Sequence, residues 1–258
     1  MICQDWKRRH GGDIRTVLSG IQTAVSVIYP PRCLTCGGSV DSDFGLCGPC
    51  WRDTVFIGAP RCDGCGAPLP GSDDIGPLKC DDCMTIHRPW KQGRAALVYK
   101  DNGRKLVLAF KHGDRQEIAR PAALWMANAI RDLPLDNALI APVPLHWLRL
   151  LKRRYNQSAL LAQALAAHTG MAVCPDLLVR ARRTQSMEGL GKDQRFANVE
   201  NSISAHPKRR HRMAGRAVLL VDDVMTSGAT LAAATLACQA AGSGPVFVVT
   251  LARVAKET

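Results

Sequence analysis

The stretch Ala217-Val-Leu-Leu-Val-Asp-Asp-Val-Met-Thr-Ser-Gly-Ala-Thr-Leu231 runs from an apolar segment through a pair of acids into a turn rich in hydroxyls and holding one glycine. Arg216 to Val221 predicts a strand buried on both faces, and Thr230 to Ala241, closed by Gly242, predicts a helix. In open α/β sheets, ligands bind just past the carboxyl ends of strands, where helix N-termini offer unpaired N–H groups to an anion. Gly228 lets the backbone approach a phosphate closely, the hydroxyls of Thr226, Ser227 and Thr230 add donors, and Ala229 completes the loop that leads into the helix. Asp222 and Asp223 would repel a phosphate but suit sugar hydroxyls and a cation. Adjacent ribose hydroxyls supply the donors, and a Mg²⁺ bridging pyrophosphate and ribose would neutralise the local charge. An acid pair alone is equally good turn and capping chemistry. It is the full string of strand, acids, loop and helix that points to a phosphorylated ribose.

Outward from this string the chain alternates strand and helix signals. Strands are predicted at 95–99, 138–143 and 246–251, and helices at 105–110, 118–131 and 158–169. That order reads as βα units on a parallel sheet with helices on both faces. Pro142-Val-Pro144-Leu145 ends one strand, and pyrophosphate fits beside such a turn. Lys152-Arg-Arg154-Tyr-Asn-Gln157-Ser158 brings charges and amides suited to a polyanion, and serves equally well as an exposed basic helix cap. Residues 180–200 carry Arg180, Arg182, Arg183 and Arg195 without apolar period, which predicts a long loop. A cationic loop closing over a pyrophosphate would exclude water and stabilise the leaving group.

Eleven cysteines are present, and eight of them fall as Cys-x-x-Cys pairs. Cys33/Cys36 with Cys47/Cys50, and Cys62/Cys65 with Cys80/Cys83, each form a quartet able to enclose one tetrahedral Zn²⁺. Glycines after Cys36 and Cys65 permit the tight knuckle turn. Closed four-cysteine sites leave no position for water, so both ions are expected to be structural. The segment around them lacks the apolar content for a conventional core, and metal supplies what is missing. Replacing Cys33 or Cys62 is expected to unfold its own ribbon while leaving the distant ribose site largely folded. Cys3, Cys174 and Cys238 read as incidental thiols.

The domain plan expected is an amphipathic helix within 1–30, a double zinc ribbon over 31–88 and an α/β domain over 89–258. The helix rests on Ile14, Val17, Leu18, Ile21, Val25 and Ile28. Polar residues interrupt that run, and it is too short for a bilayer span. Metal-type cysteine usage places the protein in the cytoplasm. With 47% hydrophobic and 22% charged residues the chain is a folding one rather than a disordered one. A net charge of +12, with runs at Lys7-Arg8-Arg9, Lys152-Arg153-Arg154 and Lys208-Arg209-Arg210, favours polyanionic partners.

The acid-pair string resembles the 5-phosphoribosyl 1-pyrophosphate (PRPP) motif of type I phosphoribosyltransferases. The wider pattern resembles the competence protein F family: cysteine ribbons, Pro-Val-Pro-Leu, Arg-Tyr-Asn-Gln-Ser, a Thr184-x-Ser186 loop ending Arg195-x-x-Asn-Val, and the acid-pair string. The resemblance implies a phosphoribosyltransferase fold and an association with DNA uptake. It implies that Asp222 and Asp223 hold the ribose hydroxyls and that Thr226 to Thr230 hold the 5-phosphate. Pro144, Arg154 and Gln157 then fall on the pyrophosphate side, and Asp222, Asp223 and Arg195 are the candidate catalytic residues. The chain departs from the family twice: Arg153-Arg154-Tyr155 stands where Arg-Gly-Phe is usual, and Met187 where a glutamine is common. Two functional readings stay open. One is a Mg²⁺-dependent transferase with an unknown acceptor. The other is a module that binds single-stranded DNA or a DNA-uptake helicase and uses PRPP only as a ligand.

Overall fold

The computed structural model describes residues 30–40, 45–71, 76–112, 114–181, 191–199 and 201–255. The helix expected within 14–28, Cys3, Lys7-Arg8-Arg9 and Met187 lie outside these residues. The chain divides into two compact units, Met1–Trp51 and Arg52–Thr258. In the first, the described residues hold the Cys33 quartet and the start of α1 (Gly48–Arg52).

The second unit is built on a parallel sheet. Its elements run α2 (Asp81–Thr85), β1 (Gly93–Val98), α3 (Asp101–His112), α4 (Ala119–Ala129), β2 (Leu139–Pro142), α5 (Trp147–Arg153), α6 (Gln157–Thr169) and β3 (Ala172–Val173). They continue with β4 (Leu178–Arg180), α7 (Lys192–Val199), β5 (Ile203–Ala205), β6 (Val218–Met225), α8 (Ala229–Ala240) and β7 (Val246–Arg253). The five-stranded sheet has the order β1-β7-β6-β2-β3 with every neighbour parallel. Strands β4 and β5 form a separate antiparallel pair.

All eight residues of β7 are buried, so this strand is covered on both faces. Such continuous apolar strands belong to parallel sheets with helices on either side. Helices α4 and α6 pack on each other and on the sheet, while α8 packs on β6, β7 and the β4–β5 pair. The fold class read from the sequence is the one observed.

Three local features differ from the sequence reading. Strand β6 runs on to Met225 instead of stopping at Val221, because β7 offers a partner along its whole length, with Asp222 opposite Thr250 and Met225 opposite Arg253. Pairing overrides the poor strand preference of two aspartates. Residues 192–199, expected to be loop, form α7, which packs on α8, with Phe196 against the core cluster and Val199 buried. Residues 182–190 of that stretch lie outside the described residues. Helix α5 is the third difference, capped by His146 Nδ1, which accepts from Leu148 N–H at 3.3 Å.

The second ribbon is part of the sheet's own core. Cys62, Cys65, Cys83 and Trp90 share one buried cluster with Leu220, Leu231, Val246 and Val248. Gly66 and Gly93 allow this approach: a Cβ on Gly66 would lie 2.6 Å from Ala95 N, and one on Gly93 would lie 2.7 Å from the Gly64 carbonyl. Trp90 Nε1 donates to that carbonyl at 2.6 Å. The buried Arg94 pairs with Asp63 of the ribbon at 2.8 Å and with Asp132 at 2.7 Å. Among the described residues no helix is long and apolar enough to cross a membrane.

Candidate functional site

The carboxyl end of β6 opens on a cleft of about 390 Å³. Its walls include Tyr99, Lys111, Arg153, Gln157, Arg180, Asp222, Asp223, Thr226 and Thr230. The two acids are held differently. Asp222 accepts from the Ser158 hydroxyl at 2.8 Å and from Asp223 N–H at 2.9 Å. Asp223 is paired with Lys111 Nζ at 3.3 Å. Burial, and after it the neighbouring Asp223 charge, push the Asp222 carboxyl up to about 7. The floor of the cleft is therefore ready to accept hydrogen bonds from a diol, or to exchange a proton with a cation, near neutral pH.

Next to the acids, Thr226 to Thr230 line a small recess of about 30 Å³ at the N-terminus of α8. Gly228 caps this twelve-residue helix in the left-handed region, at φ 82°. A Cβ there would meet Arg88 Nη1 at 2.8 Å and Trp90 at 3.0 Å, so both conformation and space demand glycine. The loop's own carbonyls are taken from behind. Arg88 Nη1 donates to the Ser227 carbonyl, and Arg253 Nη1 donates to those of Thr226 at 2.8 Å and Met225 at 3.2 Å. Ala229 N–H donates to the Ser227 hydroxyl at 3.4 Å, so with its carbonyls occupied the loop keeps its other N–H groups and the Thr226 and Thr230 hydroxyls for an anion.

Of the residues named from sequence, Gln157, Asp222, Asp223, Thr226 and Thr230 come together in the cleft, and Ser227, Gly228 and Ala229 line the adjoining recess. Pro144 lies between Val143 and Leu145, which face the cleft. Arg154 is exposed and pairs with Asp114 at 3.4 Å, while its neighbour Arg153 lines the cleft. Arg195 sits on α7, away from the cleft lining. Sequence reasoning passed over Lys111, whose lysine on an amphipathic helix reads as solvated surface, and Tyr99. It also passed over Arg88 and Arg253, which nothing in their local sequence distinguishes.

The two cysteine quartets are each assembled, with all four sulfurs within 4.8 Å of one another. Cys36 and Cys47 sulfurs lie 3.7 Å apart, and Cys65 and Cys80 sulfurs 3.6 Å. Zn–S bonds of about 2.3 Å put tetrahedral sulfurs roughly 3.8 Å apart, so the donor sets fit zinc. Backbone N–H groups of Gly38 and Cys80 point at Cys36 and Cys62 sulfurs at 3.5 and 3.3 Å.

A zinc-ribbon protein with a parallel α/β domain, whose strand-end cleft sets an acid pair beside a helix N-terminus, is the class these features define. Residues 24–84 match the double zinc ribbon domain family. The chain is 30% identical over 207 residues to competence protein F of Haemophilus influenzae, covering 78% of this chain and 87% of that one. It is 30% identical to the DNA utilization protein YhgH of Salmonella typhi, covering 74% and 82%. A similar solved structure is adenine phosphoribosyltransferase from Thermoanaerobacter pseudethanolicus, 17% identical, covering 54% of this chain and 82% of that one with a TM-score of 0.34. The chain belongs to the competence protein F family.

Proposed function

We propose that the cleft at the end of β6 binds Mg²⁺-PRPP and that the protein serves DNA uptake or natural transformation from the cytoplasm. The observation that carries this reading is the adjacency of a partly neutralised acid pair to an anion-ready loop whose helix starts at a left-handed glycine. Asp222 and Asp223 accept the ribose hydroxyls, and Thr226 to Thr230 hold the 5-phosphate. Pro144 and Gln157 stand at the pyrophosphate side, where Lys111 and Arg153 bring positive charge. Mg²⁺ would share the pyrophosphate and ribose oxygens and offset the acids. If pyrophosphate is displaced, its developing charge meets Arg153 and Lys111 in a partly enclosed site. Arg154 and Arg195, outside the cleft lining, are candidates for closing on the ligand.

A net charge of +12 supports a second reading, in which the protein binds single-stranded DNA or a helicase partner and PRPP is only a ligand. One assay separates the two. Purified protein receives Mg²⁺-PRPP with a panel of bases or with single-stranded DNA. Acceptor-dependent pyrophosphate release supports the transferase. DNA binding with steep salt dependence and no release supports the module. No binding of Mg²⁺-PRPP by calorimetry overturns both.

A further inference from the structure

Arg88 connects the second cysteine quartet to the loop at the α8 N-terminus, and Arg253 holds the same loop. Arg88 Nε donates to the Cys83 sulfur at 3.4 Å, its Nη1 reaches the Ser227 carbonyl, and its guanidinium stacks over Trp90 at 5.4 Å. Arg253, 3% exposed at the end of β7, donates from Nη1 to the Met225 and Thr226 carbonyls of the same loop. Among the described residues, Arg88 Nη2 and Arg253 Nε are buried without a hydrogen-bond partner.

Buried guanidinium groups need a counter-charge, because an unpaired one costs several kcal/mol, on the order of 3–5 where a partner has been removed. No carboxylate among the described residues pairs with either arginine. Four thiolates around one Zn²⁺ carry a net charge of −2, which balances two arginines.

We propose that Arg88 is a positioning residue that makes the second zinc site, and not the first, set the conformation of the loop Thr226–Thr230. Zinc binding would fix the thiolates, the Cys83 thiolate holds the Arg88 guanidinium, and Arg88 together with Arg253 holds the loop carbonyls. The proposal rests on the reading of this loop as an anion site for its ligand arm, but not for its structural arm. On this proposal losing Cys62 loosens the ribose site, contrary to the expectation from sequence that the site stays largely folded.

The test uses full-length zinc-loaded protein and four variants, Arg88→Gln, Arg88→Lys, Cys33→Ser and Cys83→Ser. Zinc content, amide hydrogen exchange at Ser227 to Thr230, and ribose 5-phosphate affinity are measured for each. The expected result is that Arg88→Gln keeps both zinc ions and a cooperative melt, yet exchanges these amides at least tenfold faster and binds ribose 5-phosphate about tenfold more weakly. Arg88→Lys recovers part of both losses. Cys33→Ser loses one zinc ion with no change at the loop, whereas Cys83→Ser loses one and loosens the loop. Unchanged loop exchange in Arg88→Gln and Cys83→Ser overturns the coupling. Equal loosening in Cys33→Ser overturns its assignment to the second site. Should the parent protein fail to bind ribose 5-phosphate, the phosphoribosyl reading falls, while the exchange data still decide the coupling.

Discussion

The Ser158 hydroxyl donates to Asp222 Oδ1 at 2.8 Å, tying the first turn of α6 to the end of β6. This bond lowers the carboxyl's affinity for a proton, but burial and the Asp223 charge outweigh it and leave Asp222 at about 7. An unfolded aspartate titrates near ~3.9. Between these values the folded protein keeps a proton that the unfolded chain has released, so stability of the ligand-free protein falls as pH rises from about 4 to about 7. Asp222→Asn should flatten that fall and stabilise the free protein at pH 8 by roughly 1–3 kcal/mol. Thermal melts of both proteins across this range decide it, and parallel curves exclude the effect.

Asp223→Asn should behave in the opposite way. Lys111 lies 3.3 Å from Asp223, so the asparagine leaves an ammonium group without its counter-charge. The free protein should then lose about 1 kcal/mol while Mg²⁺-PRPP affinity falls at least tenfold. Calorimetric titration beside a melt gives both numbers. Undiminished affinity in both acid variants would falsify the ribose-holding role.

Arg154 adopts φ 65°, in the left-handed region, at the position where the family usually carries glycine. A side chain there costs about 1 kcal/mol relative to glycine. Its exposed ion pair with Asp114 offsets little of this. Arg154→Gly should therefore stabilise the protein by about 0.5–1 kcal/mol in denaturant titration. If Arg154 also closes on ligand, affinity for Mg²⁺-PRPP drops in the same variant. If its only effect is backbone strain, affinity is unchanged.

The sheet and the zinc sites were legible because their signals are local. Apolar runs such as Leu219 to Val221, glycines at turns and Cys-x-x-Cys spacing each announce themselves within a few residues. The acids and the loop after them were legible for the same reason. What the sequence could not convey depends on distant pairing. Strand β6 continues through Asp222 and Asp223 only because β7 lies beside it. Helix α7 forms because it packs on α8, with Phe196 against the core cluster and Val199 buried. The second ribbon seemed a free module because Asp63 and Arg94, or Cys83 and Arg88, show no sign in sequence of facing one another.

That attachment yields the last prediction. The Arg94 side chain is 4% exposed and pairs with Asp63 and Asp132, which are 29% and 45% exposed, and it also donates to the Asp63 and Gly93 carbonyls. Burial works against its charge, but the two carboxylates more than compensate and raise its pKa. Burial likewise opposes ionisation of Asp132, yet Arg94 and then Arg61 hold its carboxyl below the usual value. Arg94→Met removes the fork but leaves two acids that water can still reach, so the loss should be about 2 kcal/mol rather than that of a stranded buried charge. The pH dependence carries the signature. A carboxylate whose folded pKa is depressed contributes stability above its unfolded value and loses it as pH falls through the folded one. The gap between parent and Arg94→Met should thus be constant from pH 6 upward and shrink below about pH 4, as Asp132 takes up its proton. Denaturant midpoints measured at pH 7 and pH 3 test this, and a gap that persists at pH 3 would mean that Arg94 acts through packing alone. Because the ribbon's knuckle is held by this contact, the variant should also lose zinc to a chelator faster from the second site than from the first.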